Sequence, residues 1–358
     1  MLGGGEPARW GVDDSRLVKG KVMAEVASRT ELIYPLGASG HIEHWLVTGP
    51  YAFAVADLER YGVPPPTGAD AGFKLDILRD RRRPALDVTT PPVEGSALAV
   101  DGVAHEWRYV RCRDDHQVDL STFFHTCHYL VSYAYATLDV AAGGPAQVML
   151  DSNGPADLWV NGEHAGRHEQ IGLQDPARAA FSITLRTGRN DILVCFEALA
   201  TRACPYTLAL RVVGFAPEAA RVLLPAAPGD LARRQRFEAI VEAASCSRQL
   251  YRDGAPVVLR WAGAETVEGA LVVRLLDAAG QTRAEQRVPA TANGEVVLAD
   301  SDALADGVYR IAIAPAEPSP VRRELAIRVF NGDFAEQPAG TFAMRRREAL
   351  EHAAAQQG

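Results

Sequence analysis

Between Tyr129 and Val213 the chain alternates with a period of two. Tyr129, Val131, Tyr133, Tyr135 and Thr137 share one parity, and Leu130, Ser132, Ala134 and Leu138 the other. A helix would bring back its apolar face every three to four residues, so this pattern of aromatic and β-branched residues specifies a strand. Gln147–Leu150 is a second, short strand, closed by turn chemistry at Asp151-Ser152-Asn153-Gly154-Pro155. Leu158-Trp159-Val160 follows and runs into Asn161-Gly162, the favoured two-residue hairpin pair because both positions need positive φ. Phe181/Ile183/Leu185, Ile192/Val194/Phe196 and Leu208/Leu210/Val212 repeat the alternation. Strands this closely spaced predict an all-β sandwich with less than about 15% helix in the region.

The flanks read differently. Residues 1–40 are a weakly patterned, glycine-containing lead-in. Trp45 to Tyr51 predicts a strand running into a turn at Gly49-Pro50, and 62–70, with three consecutive prolines, a loop. Residues 216–250 hold Pro217, Pro225 and Pro228 and are expected to be a linker ending in a helix. There Phe237, Ile240, Val241 and Ala244 fall at i, i+3, i+4 and i+7, with Asp230 as the cap. Alternation resumes over 251–332, at Val257–Trp261, Ala270–Leu276, Gln286–Val288, Glu295–Leu298, Tyr309–Ile313 and Leu325–Val329, and predicts a smaller immunoglobulin- or fibronectin-like sandwich. Residues 333–358 form a tail with a helix expected over 345–355.

The segments YLVSYAYATLDV, LDSNGPADLWVNGEHAG and LRTGRNDILVCFEA, with the entry strand WLVTGPY, resemble a galactose-binding-domain-like jelly roll. Modules of that kind are attached to bacterial glycoside hydrolases and other large hydrolases. The likeness covers about residues 41–214. It implies a jelly roll over 41–215, a carbohydrate as ligand, and a downstream catalytic domain of the same polypeptide as partner. The residues that carry the likeness have structural work of their own. Asn161-Gly162 closes a hairpin, Trp159 is expected to give a large apolar body to the sandwich, and Gly188 and Asn190 turn the chain before Ile192 enters the core.

Composition narrows the chemistry. The 358 residues carry a net charge of −8, which excludes the basic face a nucleic-acid binder needs. No run of about 18 apolar residues offers a membrane span. The five cysteines are odd in number and lack a framework spacing, and no basic start leads into an apolar core at the N-terminus. Reduced thiols and a cytoplasmic location are the simpler expectation.

No catalytic motif stands out. Gly37-Ala38-Ser39-Gly40-His41 does not complete a nucleophile elbow, and His41-Ile42-Glu43-His44 is not a zinc-protease signature. Cys112, His116, His125, Cys127 and His128 are metal-ligating types without a closed spacing. Paired carboxylates for glycoside hydrolysis are defined by separation in space, which 45 acids in a sequence do not supply. No glycine-rich strand-to-helix loop supports a nucleotide. Asp151, Asn153 and Asp157 offer oxygen ligands for a structural calcium ion, although Asn and Asp also serve simply to turn the chain.

His164, Arg167, His168 and Glu169 follow the Asn-Gly hairpin and, with Trp107 and Tyr109, are the candidate sugar contacts, since aromatic faces and planar polar groups suit sugar rings. The expected function is therefore a non-catalytic, carbohydrate-associated or domain-packing module, the N-terminal accessory part of a larger bacterial hydrolase. Alternatives are a glycosidase or esterase with its site between the sandwiches, and a scaffold without a small ligand.

Overall fold

The computed structural model describes residues 30–61, 71–82, 86, 90–172, 174–263 and 265–332. The loop expected at 62–70 and the helix expected over 345–355 lie outside them. The chain is all-β and divides into two compact units, Met1–Gly229 and Asp230–Gly358.

The first unit opens with β1 (Thr30–Pro35), β2 (His44–Ala54) and helix α1 (Ala71–Arg81). Short strands β3 (Ala97–Val100), β4 (Val103–Glu106), β5 (Arg108–Arg111) and β6 (Val118–Asp119) follow. The long β7 (Thr122–Val140) leads to β8 (Gly144–Ser152), β9 (Ala156–Val160), β10 (Glu163–His168) and β11 (Ala177–Leu185). The unit ends with β12 (Gly188–Cys204), β13 (Thr207–Val213) and β14 (Ala220–Ala226). Among the described residues, no helix lies between Tyr129 and Val213.

One antiparallel sheet runs β1-β14-β7-β12-β9-β10, with β2 sharing an edge of β7 with β14 and carrying β5 on its other side. The second runs β11-β8-β13-β6. Val148, Leu150, Leu208, Leu210 and Val212 of the second sheet are buried, as are Leu130, Ala134, Ala136, Leu158, Val194 and Phe196 of the first. Each large apolar side chain so removed from water contributes about 1.5–3 kcal/mol. Tyr206 donates its hydroxyl proton to the Phe196 carbonyl at 2.6 Å, satisfying a polar group that burial would otherwise strand.

Four features depart from the sequence reading. Gly49-Pro50 does not end a strand: β2 continues to Ala54, and a bulge between Thr48 and Tyr51 absorbs the pair. A Cβ on Gly49, at φ +100°, would lie 2.9 Å from Ser132 Oγ. The start of the expected linker is instead β14, because Val222, Leu223 and Leu224 form a buried run that pairs with β1 on one side and β7 on the other. The expected lead-in likewise contributes β1 to the sheet. α1 was not anticipated, and its Ile77 and Leu78 are buried as it packs on β12.

The second unit begins with helix α2 (Leu231–Glu242). Asp230 caps it by accepting from the Arg233 N–H at 2.9 Å. Strands β15 (Ser245–Cys246), β17 (Pro256–Trp261) and β20 (Gly294–Asp300) form one sheet. The other contains β16 (Leu250–Tyr251), β18 (Ala270–Leu276), β19 (Thr282–Pro289), β21 (Gly307–Pro315) and β22 (Arg323–Val329). Phe237, Ile240, Val241 and Ala244 join Leu259, Trp261, Val273, Ile311 and Ile327 in one core, so the helical spacing in the sequence reports a real buried face. Among the described residues, no helix is long and apolar enough to cross a membrane.

Candidate functional site

The sheet containing β7, β12, β9 and β10 has an unusual outer face. Side chains of directly paired residues share a face, so the registers place Trp159 with Leu193 and Tyr135, and Asp157 with Cys195 and Tyr133. On β10, His164 pairs with Trp159, and after a bulge Arg167 pairs with Asp157. Glu197 and Tyr129 continue this face. It therefore carries hydroxyls, carboxylates and aromatic rings rather than a plain solvated surface.

Arg167 is the centre. Its Nη1 donates to Asp157 Oδ2, its Nη2 to Glu197 Oε2 at 2.7 Å and its Nε to Glu169 Oε1 at 3.3 Å. The side chains of Asp157 and Glu197 are only 4% and 2% exposed, so this is a buried ionic knot. Burial alone would lower the Arg167 pKa, but the Glu197 and Asp157 carboxylates outweigh it and hold the guanidinium above its ordinary range. Tyr129 donates its hydroxyl to Glu197 Oε1 at 2.5 Å. Burial first, and Glu197 second, push that phenol well above its usual range, so it stays a donor.

Around the knot lies an accessible rim. His164 Nε2 is 2.8 Å from Asp157 Oδ1, with the imidazole 45% exposed. Its ring lies 5.1 Å from that of Trp159 at 49°. Trp159, expected to give a large apolar body to the sandwich, is half-buried on the outer face: Leu158 and Val160 point inward and Trp159 does not. Arg82 reaches Asp157 Oδ1 at 3.0 Å, and Arg79 lies 3.6 Å from Glu169, so the end of α1 borders the rim.

The candidates from sequence fall into different places. His164 and Glu169 stand on the rim, and Arg167 beneath it as a paired post. His168 alternates away from Arg167 and is buried, with its Nε2 unpartnered among the described residues and its pKa lowered chiefly by burial. Trp107 is 4% exposed, so it is a packed residue beside β5 and not a loop platform. Tyr109 places its hydroxyl 2.8 Å from His44 Nδ1.

Each calcium candidate has hydrogen-bond partners of its own. Asp151 is bonded through both oxygens to Arg178, at 2.6 and 2.7 Å. Asn153 accepts from Thr207 N and Oγ1 and donates to the Gly172 and Gln174 carbonyls. Among the described residues, Asp157 is held by Arg82, His164 and Arg167. Among the described residues, no group of three or more His, Cys, Asp or Glu is placed to hold a metal ion, and His116 instead bonds Glu43 at 2.8 Å and stacks on His41.

The sequence reading missed Tyr129, Glu197 and Arg82 as members of this assembly. Glu197 did carry a signal: it is a single acid within the otherwise apolar run Val194-Cys195-Phe196-Glu197-Ala198-Leu199.

No family model matches the chain. No curated protein matches it either. Among solved structures, a β-glucuronidase from Ruminococcus gnavus is similar over 87% of this chain and 46% of its own, at 10% identity and a TM-score of 0.23. A glycosyl hydrolase family 2 member from Bacteroides cellulosilyticus is similar over 56% of this chain and 27% of its own, at 16% identity and a TM-score of 0.21. The chain thus spans less than half the length of either protein. What the site can do rests on its own geometry.

Proposed function

We propose that the chain is a non-catalytic, carbohydrate-associated module that contacts sugar on the outer face of β9, β10 and β12. The observation that carries this reading is the pairing of Trp159 and His164 at 5.1 Å on an accessible rim, fixed from below by the Asp157–Arg167 ion pair. A half-buried indole offers an apolar face to the C–H face of a pyranose, and the imidazole, Glu169 and Arg82 supply polar groups at its edge. The rim is fixed before a ligand arrives, which lowers the ordering cost of binding. Asp157 and Glu197 are committed to Arg167, which suits them to hold the surface and not to attack or protonate a glycosidic bond.

The test is an array of oligosaccharides probed with the wild-type chain, Trp159→Ala and His164→Ala. Trp159→Ala should abolish binding and His164→Ala should weaken it. Equal binding by all three proteins would refute this placement of the site.

A packing surface is the second reading, favoured by Phe123. This ring is 56% exposed on β7 and lies edge-on to His125 at 5.0 Å. An array silent with the wild-type chain would favour it.

A further inference from the structure

Asp191 lies two residues before Leu193 on β12, and Leu193 pairs with Trp159. Asp191 therefore shares the outer face with Trp159, as its diagonal cross-strand neighbour, at a Cα spacing of roughly 7–8 Å that one pyranose ring can bridge. On the other side β7 aligns Thr137 with Asp191 and Tyr135 with Leu193.

Both neighbours converge on one oxygen of the carboxylate. The Tyr135 hydroxyl donates to Asp191 Oδ1 at 2.6 Å, and Thr137 Oγ1 donates to the same atom at 2.9 Å. Tyr135 and Thr137 are 1% and 3% exposed. The backbone is fixed as well: the Asp191 N–H donates to Asn161 Oδ1 at 3.1 Å, and its carbonyl accepts from the Asn161 N–H at 2.8 Å. Among the described residues nothing is bonded to Oδ2, and Asp191 is partly exposed. A partly exposed carboxylate with one oxygen locked and the other unbonded among the described residues is a pre-set hydrogen-bond acceptor.

We propose that Asp191 is the polar anchor of the sugar site, accepting a ring hydroxyl on Oδ2 while the pyranose lies on Trp159. Tyr135 and Thr137 are positioning residues that hold the carboxylate in place. The ligand class is a neutral pyranoside with a free hydroxyl at the edge of its apolar face. A uronate carboxylate brought to the same atom would be repelled by like charge. The inference rests on the outer-face reading above and adds a specificity-determining residue to it.

The experiment titrates neutral xylo-, gluco- and manno-oligosaccharides into the wild-type chain, Asp191→Asn, Thr137→Val and Trp159→Ala, following backbone amide shifts and thermal melting. The best-binding oligosaccharide is then compared with its mono-deoxy analogues on the wild-type chain, which needs no variant to fold. Loss of a charge-assisted hydrogen bond predicts about tenfold weaker binding by Asp191→Asn with a native melt, and a smaller loss for Thr137→Val. One mono-deoxy analogue should lose about the same factor on the wild-type chain and bind Asp191→Asn no more weakly than the parent sugar does. Undiminished binding by Asp191→Asn, or by every mono-deoxy analogue, while Trp159→Ala has lost it overturns the anchor and leaves the outer-face site standing. A wild-type chain that responds to no oligosaccharide overturns both.

Discussion

Arg167 and Glu197 are bonded at 2.7 Å although β9 lies between their strands in the sheet. The long guanidinium side chain crosses above β9 and binds Asp157 on the way. Three neighbouring strands are thereby tied together on the face that carries the rim.

Arg167→Ala should be costly. It leaves Asp157 and Glu197 buried without their shared cation, a change that typically costs about 3–5 kcal/mol. Arg167→Lys should recover only part of this, since an ammonium cannot reproduce the planar fork. Denaturant unfolding of the three proteins checks it. A loss below about 1 kcal/mol for Arg167→Ala, the level of a surface pair, would show that the knot is solvated.

Gly162→Val tests the hairpin. Asn161 and Gly162 adopt φ of 55° and 81°, the two positive values a type I′ turn needs. Among the described residues a Cβ on Gly162 would meet nothing within 4 Å, so the penalty is conformational, not steric crowding. A β-branched residue there should cost about 1–2 kcal/mol. An unchanged melting temperature would contradict the turn.

Much of this was legible in the sequence, because alternation and turn chemistry act locally. The strands from Tyr129 to Val213, the Asn161-Gly162 turn and the α2 cap at Asp230 are all where short-range rules place them. What was not legible depends on partners distant in the chain. Val222, Leu223 and Leu224 sit among prolines and became a strand because β1 and β7 supply two edges. The face of Trp159 was not legible because parity alone does not say which face of a two-sided buried sheet turns inward. Arg167 read as a loop contact because its acids lie 10 and 30 residues away. Asp191 likewise takes its fixed geometry from Tyr135 and Thr137, 56 and 54 residues away in the chain.

The cysteines give a third prediction. Cys112, Cys127, Cys195 and Cys204 are buried free thiols, and Cys246 is partly accessible. All five should react with a thiol reagent after denaturation without reductant. In the native state Cys246 should react first. Recovery of three or one after denaturation would reveal disulfides that contradict these free thiols.

Stability should fall at both ends of the pH scale. His44 is stacked on Tyr34 at 3.7 Å, and burial, aided by Arg111, lowers its pKa to about 3 from 6.5. The unfolded chain therefore takes up a proton there that the native fold refuses, and this stability is lost as pH falls from 6.5 towards 3. Burial pushes the Cys112 and Cys127 thiols up to about 12 and about 11 from 9.0. Their contribution is complete below pH 9 and is lost as pH rises through 11 to 12. Melting temperature against pH should show both limbs. His44→Gln should flatten the acid one and Cys112→Ala the alkaline one; limbs unaltered by these changes would assign the titration to other groups.

The most direct test of the central claim is where a bound sugar touches the chain. Amide shifts recorded during titration with a binding oligosaccharide should concentrate on β9, β10 and β12, at Trp159, His164, Glu169 and Asp191. Affinity should be about millimolar, or roughly −4 kcal/mol, as befits a shallow site. Shifts confined to β8, β11 and β13 of the second sheet, with Trp159 and His164 silent, would contradict the account.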